Sequence, residues 1–207
     1  KSKIMQEDIE KEIQKKLLEF KQNIYKTDDE LFVELCFCII VANNSIENGL
    51  RAYNSIGLDF LTLDEKKLKE RLKNTSRRFY NKRAEYIVEA REKKEELVDN
   101  IHKLKDNKIK ESEFRDWLVK NIKGVGYKEA SHYMRNLGYF NFAILDRHIL
   151  KFLHKQKIID KVPKSLNKKE YFRIEKILID MSKKLNMSMA ELDIYLFYLD
   201  SGRICEK

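Results

Sequence analysis

A glycine-containing turn with a lysine close behind it is the first feature of this sequence that could do chemistry. In LVKNIKGVGYKEAS, residues 118–131, Gly124, Val125 and Gly126 form a GVG turn, and Lys128 follows two residues later. Glycines let the backbone turn sharply and approach a ligand, and the helix after them offers unpaired N–H groups and the positive end of its dipole. The pattern predicts a turn that grips the phosphates of a nucleic-acid backbone, with Lys128 as a candidate nucleophile.

Asp146, in AILDRHIL, is the second candidate and lies eighteen residues after Lys128. We expect it to begin the next helix, so that the amine and the carboxylate can face one another across a short helical hairpin. Each residue also has a simpler interpretation, because most lysines are solvated cations and an aspartate before a helix is commonly only its N-cap. Their joint placement favours a catalytic pair.

The charge of the chain favours a polyanionic partner. Its 43 Lys and Arg residues outnumber its 34 Asp and Glu residues, which gives a formal net charge of +9. Nucleic acid and an acidic membrane surface both fit this excess. Because 37% of the residues are charged, an ion-pair-rich helical protein from a hot environment fits as well.

The cysteines and the apolar segments favour an intracellular protein of the cytoplasm or nucleoid. Three cysteines are too few for a disulfide framework, and KSKIMQEDIEKEI at the start has no apolar signal core. The longest apolar run, residues 31–42, is short for a membrane span and contains Glu34, so it predicts a buried core helix. Cys36 and Cys38 point roughly 200° apart on a helix, which makes them poor joint metal ligands.

Helical periodicity and helix-start signals predict an all-α protein of eight to eleven helices. An apolar stripe at helical spacing opens the chain, at Ile4, Ile9, Ile13, Leu17, Phe20 and Ile24. Helix starts are indicated by four residue pairs: Thr27 with Glu30, Thr62 with Glu65, Asn167 with Glu170, and Ser188 with Glu191. No period-two strand pattern appears in the sequence.

The GVG turn, Lys128 and Asp146 together resemble the helix-hairpin-helix DNA glycosylases of the endonuclease III superfamily. The wider sequence is similar to the short type-2 8-oxoguanine DNA glycosylase/lyases, through RFYNKRAEYIVEA at 78–90 and ELDIYLFYLDSGRICEK at 191–207. The resemblance covers nearly the whole chain. Some relatives carry a four-cysteine iron–sulfur cluster, but Cys205 is the only cysteine after the hairpin, so this cluster is not expected.

The resemblance implies a two-lobed helical fold with a cleft between the lobes. We predict a central lobe of residues 29–128 that ends in the helix-hairpin-helix motif, and a second lobe formed by residues 1–28 and 129–207. The expected partner is double-stranded DNA that contains 8-oxoguanine. Neither a metal nor an organic cofactor is expected, and neither is a membrane contact or an obligatory protein partner.

The resemblance also implies a bifunctional enzyme. Lys128 would attack C1′ of the flipped nucleotide and cleave the strand through a Schiff base. An ordinary lysine is protonated at neutral pH, so the site must favour the neutral amine. Asp146 would stabilise the cationic sugar that develops as the base leaves, and could orient or deprotonate the lysine.

Three further residues resemble DNA contacts of the family. His148 occupies the position of a phosphate contact, and adds to the backbone grip of Gly124–Gly126. Asn43 resembles the asparagine that fills the gap left by the flipped base, and Arg83 resembles the arginine that assists it. The alternatives are a surface or core histidine, an interhelical turn residue and a surface ion-pair partner.

Base recognition is assigned to the end of the sequence. Lys207 is the candidate that reads 8-oxoguanine, through its carboxylate or its ammonium, and Phe197 and Asp193 on the preceding helix accompany it. Phe197 stands where the family often has tryptophan. A frayed end for Lys207 and a core position for Phe197 are the alternatives.

Two other functions stay open at this point. A glycosylase of the same architecture could remove an oxidised pyrimidine or another purine. A helix-hairpin-helix module without catalytic activity could bind DNA through phosphates alone.

Overall fold

Helices account for most of the chain. The computed structural model describes the backbone of residues 2–207 and the side chains of residues 6–207; within these limits it contains eleven α-helices, one 3-10 helix and no β-strand. The α-helices are α1 Ser2–Asn23, α2 Asp28–Val41, α3 Ile46–Ile56, α4 Glu65–Thr75, α5 Tyr80–Arg91, α6 Lys94–Lys105, α7 Glu111–Asn121, α8 Tyr127–Asn136, α9 Arg147–Lys155, α10 Lys168–Leu185 and α11 Met189–Ser201. The 3-10 helix is Gly57–Leu61. The predicted all-α class is confirmed.

These helices form two units. One unit consists of residues 25–133, from α2 to most of α8, and the other contains α1 together with residues 134–207. The second unit is therefore discontinuous in sequence. The lobe boundaries predicted from the sequence, at residues 28 and 128, stay a prediction.

The unit of residues 25–133 is built around α2. Every residue of α2 from Leu31 to Val41 is buried, because α3, the 3-10 helix, α5 and α6 pack around it. Glu34 is fully buried, and its Oε1 accepts hydrogen bonds from Lys26 Nζ at 2.9 Å and from Tyr53 OH at 2.7 Å. A buried carboxylate is tolerated only when it is paired in this way. The predicted core helix is confirmed, and no helix among the described residues is long and apolar enough to cross a membrane.

Side-chain caps fix where several helices begin. The Thr27 and Glu30 capping box is complete, and Asn167 and Ser188 cap α10 and α11 as predicted. The predicted cap at Thr62 is wrong, because Thr62 closes the 3-10 helix instead. Asp64 caps α4, and its Oδ1 accepts from Lys67 N at 2.8 Å. An aspartate directly before the first helical residue is a stronger cap than a threonine three positions from it.

The other unit has a core between α1 and α11. Its buried members are Ile13, Leu17, Phe20, Ala190, Ile194 and Cys205. Ile9 packs against this cluster and Ile24 is also buried, which confirms the predicted stripe of α1 over this span. The side chain of Ile4 lies outside the described residues. Cys205 belongs to this core although it follows α11 and lies in no helix.

Candidate functional site

The predicted hairpin turn is present between α7 and α8. Ile122 and Val125 anchor it with buried side chains, and Val125 N donates to Ile122 O at 3.2 Å. Between them Gly124 has a φ of +82°, in the left-handed region that favours glycine. A Cβ at Gly124 would lie 2.5 Å from Cδ2 of the Tyr86 ring on α5. Both the backbone conformation and the close approach of α5 therefore require glycine here.

Glu129 joins the hairpin turn to the first turn of α8. Its Oε2 accepts a hydrogen bond from Gly126 N at 3.0 Å. In a capping box, the side chain of the third helical residue accepts from the backbone N–H of the residue before the helix, so this contact is half of such a box. Glu129 was not among the residues predicted from the sequence. The signal that could have found it is the spacing of Gly126 and Glu129, which matches that of the other predicted helix starts.

Lys128 lies in the first turn of α8, directly after the GVG turn. Its side chain is 23% exposed, and its Nζ lies 3.9 Å from Glu129 Oε1. The lysine is thus neither a freely solvated cation nor a member of a tight ion pair. Partial burial at the N-terminal end of a helix is an environment in which an amine can act as a nucleophile.

A cavity of about 410 Å³ lies beside the hairpin turn, lined by the ends of α5 and α7 and by residues 122–125. Its lining is charged, and Lys123 pairs there with Glu89 at 2.9 Å. Lys128 is not among the lining residues. This cavity is therefore a polar depression behind the turn and not a chamber into which the candidate nucleophile points.

Arg83, in the first turn of α5, contacts the turn after α2 that contains Asn43. Asn43 is exposed and has a φ of +55°, at the turn after α2. Arg83 is only 3% exposed, and its guanidinium donates to the carbonyls of Ala42 and Arg78. Burial, together with the nearby Arg78 cation, lowers the pKa of Arg83 to about 10. Arg83 therefore fixes the turn that presents Asn43 rather than projecting outward itself.

Phe79 is an exposed aromatic residue that the sequence analysis did not single out. It has a φ of +52° and is 55% exposed. The guanidinium groups of Arg78 and Arg83 both lie 5.2 Å from its ring centroid. Asn44 Nδ2 also donates to Ser76 O at 3.1 Å, so the turn of Phe79 is tied to the turn of Asn43. The available signal was RRFY, an aromatic residue after two arginines in a break between helices.

Asp146 and His148 lie at the start of α9, in the other unit. Asp146 is the N-cap of α9, and its Oδ1 accepts from Ile149 N at 2.8 Å, so the predicted capping position is confirmed. His148 is exposed, and its Nδ1 lies 2.7 Å from Asp200 Oδ2 at the end of α11. This contact fixes the imidazole while Nε2 points away from Asp200.

The residues assigned to base recognition lie on α11 and after it. Asp193 Oδ2 accepts from Arg135 Nη1 at 2.7 Å, and both side chains are largely buried. Phe197 is half-buried and packs against the core between α1 and α11, as does Ile204. Lys207 is half-buried as well. Among the described residues, no three His, Cys, Asp or Glu side chains come close enough to hold a metal ion.

A protein-family model matches most of the chain. The model described as 8-oxoguanine DNA glycosylase, of the helix-hairpin-helix type, matches residues 13–187. An 8-oxoguanine DNA glycosylase/AP lyase of Methanocaldococcus jannaschii is 47% identical over 192 residues, which are 93% of this chain and 90% of that protein. The protein of the same description from Korarchaeum cryptofilum is 43% identical and is covered to 89%.

Solved structures agree with this result. The Methanocaldococcus jannaschii enzyme in complex with a 15mer DNA containing 8-oxoguanine matches 96% of this chain and 93% of its own, with a TM-score of 0.89 and 46% identity. The 8-oxoguanine DNA glycosylase of Thermotoga maritima matches 99% of this chain and 96% of its own, with a TM-score of 0.90 and 36% identity. The chain belongs to the helix-hairpin-helix family of 8-oxoguanine DNA glycosylases.

Proposed function

We propose that this chain removes 8-oxoguanine from double-stranded DNA and then cleaves the strand, with Lys128 as the nucleophile. The activity is the one for which its family and its curated relatives are named. The observation that carries the residue assignment is the position of Lys128, partly buried in the first turn of α8 and directly behind the GVG turn. The glycines of that turn let the backbone come close to the strand while the amine remains accessible.

The chemistry requires an amine that can form and keep a bond to the sugar. The neutral Nζ of Lys128 attacks C1′, the bond from C1′ to the base nitrogen breaks, and the base leaves with the electron pair of that bond and takes up one proton from Nζ. The bond from C1′ to O4′ then breaks and O4′ takes up the second Nζ proton, so that the sugar ring opens and an imine joins Nζ to C1′. The imine acidifies the proton on C2′, and loss of that proton expels the 3′ phosphate and cleaves the strand.

Asp146 stabilises the positive charge that develops on the sugar as the base leaves. A fixed carboxylate is effective in this role because it needs no reorganisation during the reaction. The hydrogen bond from Ile149 N holds Asp146 Oδ1 in place. The N-cap interaction and the catalytic role are therefore compatible in one side chain.

DNA is bound through phosphates and opened at the lesion. The backbone of Gly124–Gly126 and the imidazole of His148 contact phosphates. Asn43 enters the space that the extruded base leaves, on a turn that Arg83 holds in shape through the Ala42 carbonyl. Extruding a base costs a few kcal/mol, and filling its place offsets part of that cost.

The extruded base is read by Lys207, with Phe197 and Asp193 on α11. 8-Oxoguanine differs from guanine by an N7–H donor and the oxygen on C8, so discrimination needs a hydrogen-bonding group aimed at one of these. One side of Phe197 packs against the core between α1 and α11, so only its exposed part can stack on the base. Asp193 acts from a fixed position because Arg135 holds its carboxylate.

Borohydride trapping tests the assignment of Lys128. Wild-type protein with an 8-oxoguanine duplex should yield a covalent protein–DNA adduct and a cleaved strand, because borohydride reduces the imine. Lys128→Gln should abolish both. Lys123→Gln, in the hairpin turn five residues earlier, is the matched control and should retain the adduct. Trapping that persists in Lys128→Gln would assign the nucleophile to another amine.

Asp146→Asn separates the charge of Asp146 from its capping role. Asparagine is as good an N-cap as aspartate, so the melting temperature should change little. The single-turnover rate of base removal should fall by about a hundredfold or more, because a preorganised charge is lost. An unchanged rate would reduce Asp146 to a cap.

A panel of single-lesion duplexes tests the substrate. Excision of 8-oxoguanine should exceed excision of oxidised pyrimidines and other damaged purines. A higher rate on any of those would assign the chain a different lesion. Binding without excision of any lesion would make it a DNA-binding module.

A further inference from the structure

Residues 203–207, which follow the glycine at the end of α11, hold a defined position without being part of a helix. Gly202, with a φ of +70°, ends α11 and turns the chain away from the helix axis. Ser201 Oγ accepts from Arg203 N at 3.2 Å and so closes the turn. From there the segment 203–207, here named the return segment, passes back to α1. Its position depends on contacts to residues that are far away in sequence.

The side chain of Cys205 anchors the middle of the return segment. It is 8% exposed and belongs to the core cluster formed by α1 and α11. Ile204 packs against the same cluster. One buried side chain fixes a point of a segment but leaves the backbone beyond it free to rotate. A second contact, from α1, acts on the peptide bond that precedes Lys207, two residues further on.

Lys16 on α1 supplies that second contact. Its Nζ donates to the backbone carbonyl of Glu206 at 2.9 Å, across 190 positions of sequence. The carbonyl of Glu206 belongs to the peptide bond that leads into Lys207. A hydrogen bond from an ammonium to this carbonyl therefore orients the peptide plane from which the Lys207 side chain departs.

Lys16 is itself held in place. Its side chain is only 19% exposed, and its Nζ pairs with Glu19 Oε2 at 2.6 Å and lies 5.7 Å from the centroid of the Phe20 ring. The hydrogen bond from Lys16 is the main reason that the pKa of Glu19 lies below its usual value. A lysine whose amine is held by two contacts can keep a hydrogen-bond acceptor in one position, whereas a solvated lysine cannot.

We propose that Lys16 is a positioning residue for Lys207, so that α1 contributes to the recognition of 8-oxoguanine without touching the base. The inference rests on the proposed role of Lys207 in reading the base. Loss of the Lys16 amine leaves the return segment anchored at Cys205 but removes the hydrogen bond that orients the peptide between Glu206 and Lys207. Discrimination between 8-oxoguanine and guanine then falls while general DNA affinity is retained.

The test compares dissociation constants for 8-oxoguanine and guanine duplexes, measured by fluorescence anisotropy. All proteins carry Lys128→Gln, so that the lesion is not consumed. Lys16→Met keeps the apolar stem and removes the donor; it should lower the ratio of the guanine constant to the 8-oxoguanine constant by about tenfold, the size expected for a lost charge-assisted hydrogen bond. Lys16→Arg should restore most of the ratio. Lys15→Met, the exposed neighbour of the same charge, should leave the ratio unchanged.

Two further variants separate failure of this inference from failure of the proposed function. Deletion of Lys207 removes both its ammonium and its carboxylate and should reduce the ratio, and adding Lys16→Met to the deletion should reduce it no further. If the deletion lowers the ratio and Lys16→Met does not, Lys16 has no positioning role and the function of Lys207 stands. If the deletion leaves the ratio unchanged, base recognition lies elsewhere and this inference is overturned with it.

Alkylation of Cys205 gives a readout that does not depend on DNA. Iodoacetamide should modify Cys205 faster in Lys16→Met than in Lys15→Met, because the return segment leaves its position more often. Peptide mass spectrometry distinguishes Cys205 from the fully buried Cys36 and Cys38. Equal rates at Cys205, with equal melting temperatures, would mean that Lys16 does not hold the segment.

Discussion

The hairpin turn and the return segment present the two lysines of the proposed mechanism by opposite means. At the hairpin turn, residues 122–126, position follows from the shape of the backbone: a left-handed Gly124 packs on Tyr86, and a buried residue anchors each side. The return segment, residues 203–207, depends on single side-chain contacts to α1, about 190 positions away. Turn geometry is encoded locally, whereas the return segment is positioned only after the tertiary fold has formed.

This difference suits the two tasks. A nucleophile must hold one distance and direction toward C1′, and a residue in the first turn of a helix has little freedom. A group that reads a base benefits from an attachment that side chains can adjust. We therefore expect the hairpin turn to tolerate substitution poorly, and the return segment to lose specificity before it loses stability.

Gly124→Ala should produce the largest loss of stability in this comparison. Alanine at a φ of +82° costs about 1–2 kcal/mol, and its Cβ at 2.5 Å from the Tyr86 ring adds a packing penalty. We expect the free energy of unfolding to fall by about 2–4 kcal/mol in urea denaturation. DNA binding should fall as well, because the turn must shift.

Gly126→Ala is the control on the same turn. A Cβ there meets only Glu129 Oε2, at 3.2 Å, at the end of a flexible side chain. We expect a change of less than about 1 kcal/mol. Equal losses in the two alanine variants would contradict the view that Gly124 and its contact with Tyr86 fix the turn.

Gly202→Ala should cost less than Gly124→Ala, although both glycines are left-handed. Gly202 has a φ of +70°, but a Cβ there meets nothing within 4 Å. Only the cost of the left-handed backbone conformation remains, so the free energy of unfolding should fall by about 1–2 kcal/mol. Gly202→Asn should lie closer to the wild type, since asparagine tolerates this conformation. The difference between the two alanine variants measures the packing of the hairpin turn on Tyr86.

Sequence patterns identified what depends on neighbours along the chain. The GVG turn, the cap at Asp146 and the apolar stripe of α1 each need only a few adjacent residues, and each is present as predicted. The wrong prediction of a cap at Thr62 also has a local cause. Two residues that can cap a helix lie within three positions of each other, and Asp64, the better acceptor, caps α4.

Contacts between distant segments could not be predicted in this way. The sequence suggested Arg83 and Asp193 for DNA and base, but not that Arg83 holds the Ala42 carbonyl or that Arg135 holds Asp193. These partners are 41 and 58 positions apart. No local pattern encodes such a pairing, and burial of Cys205 in the core of α1 and α11 is a case of the same kind.

Cys205→Ala should have a modest effect on stability and a clearer one on specificity. Removing one buried sulfur atom costs about 1 kcal/mol in unfolding free energy, less than the substitution at Gly124. The dissociation constant of the guanine duplex divided by that of the 8-oxoguanine duplex should fall, because the return segment loses its apolar anchor. An unchanged ratio would mean that the Cys205 side chain is not needed to position Lys207.

Alkaline pH should produce the smallest effect. Burial raises the pKa of the Cys205 thiol above its ordinary value of 9.0; Asp193 acts in the same direction, while Arg135 and Lys16 oppose it. Because the buried form is the protonated one, its contribution is complete below pH 9.0 and is lost as the pH rises through and above that value. The melting temperature of the wild type should therefore fall slightly more between pH 7.5 and 10 than that of Cys205→Ala. Every other titrating group is common to both proteins, so parallel curves would show that folding does not change the pKa of the Cys205 thiol.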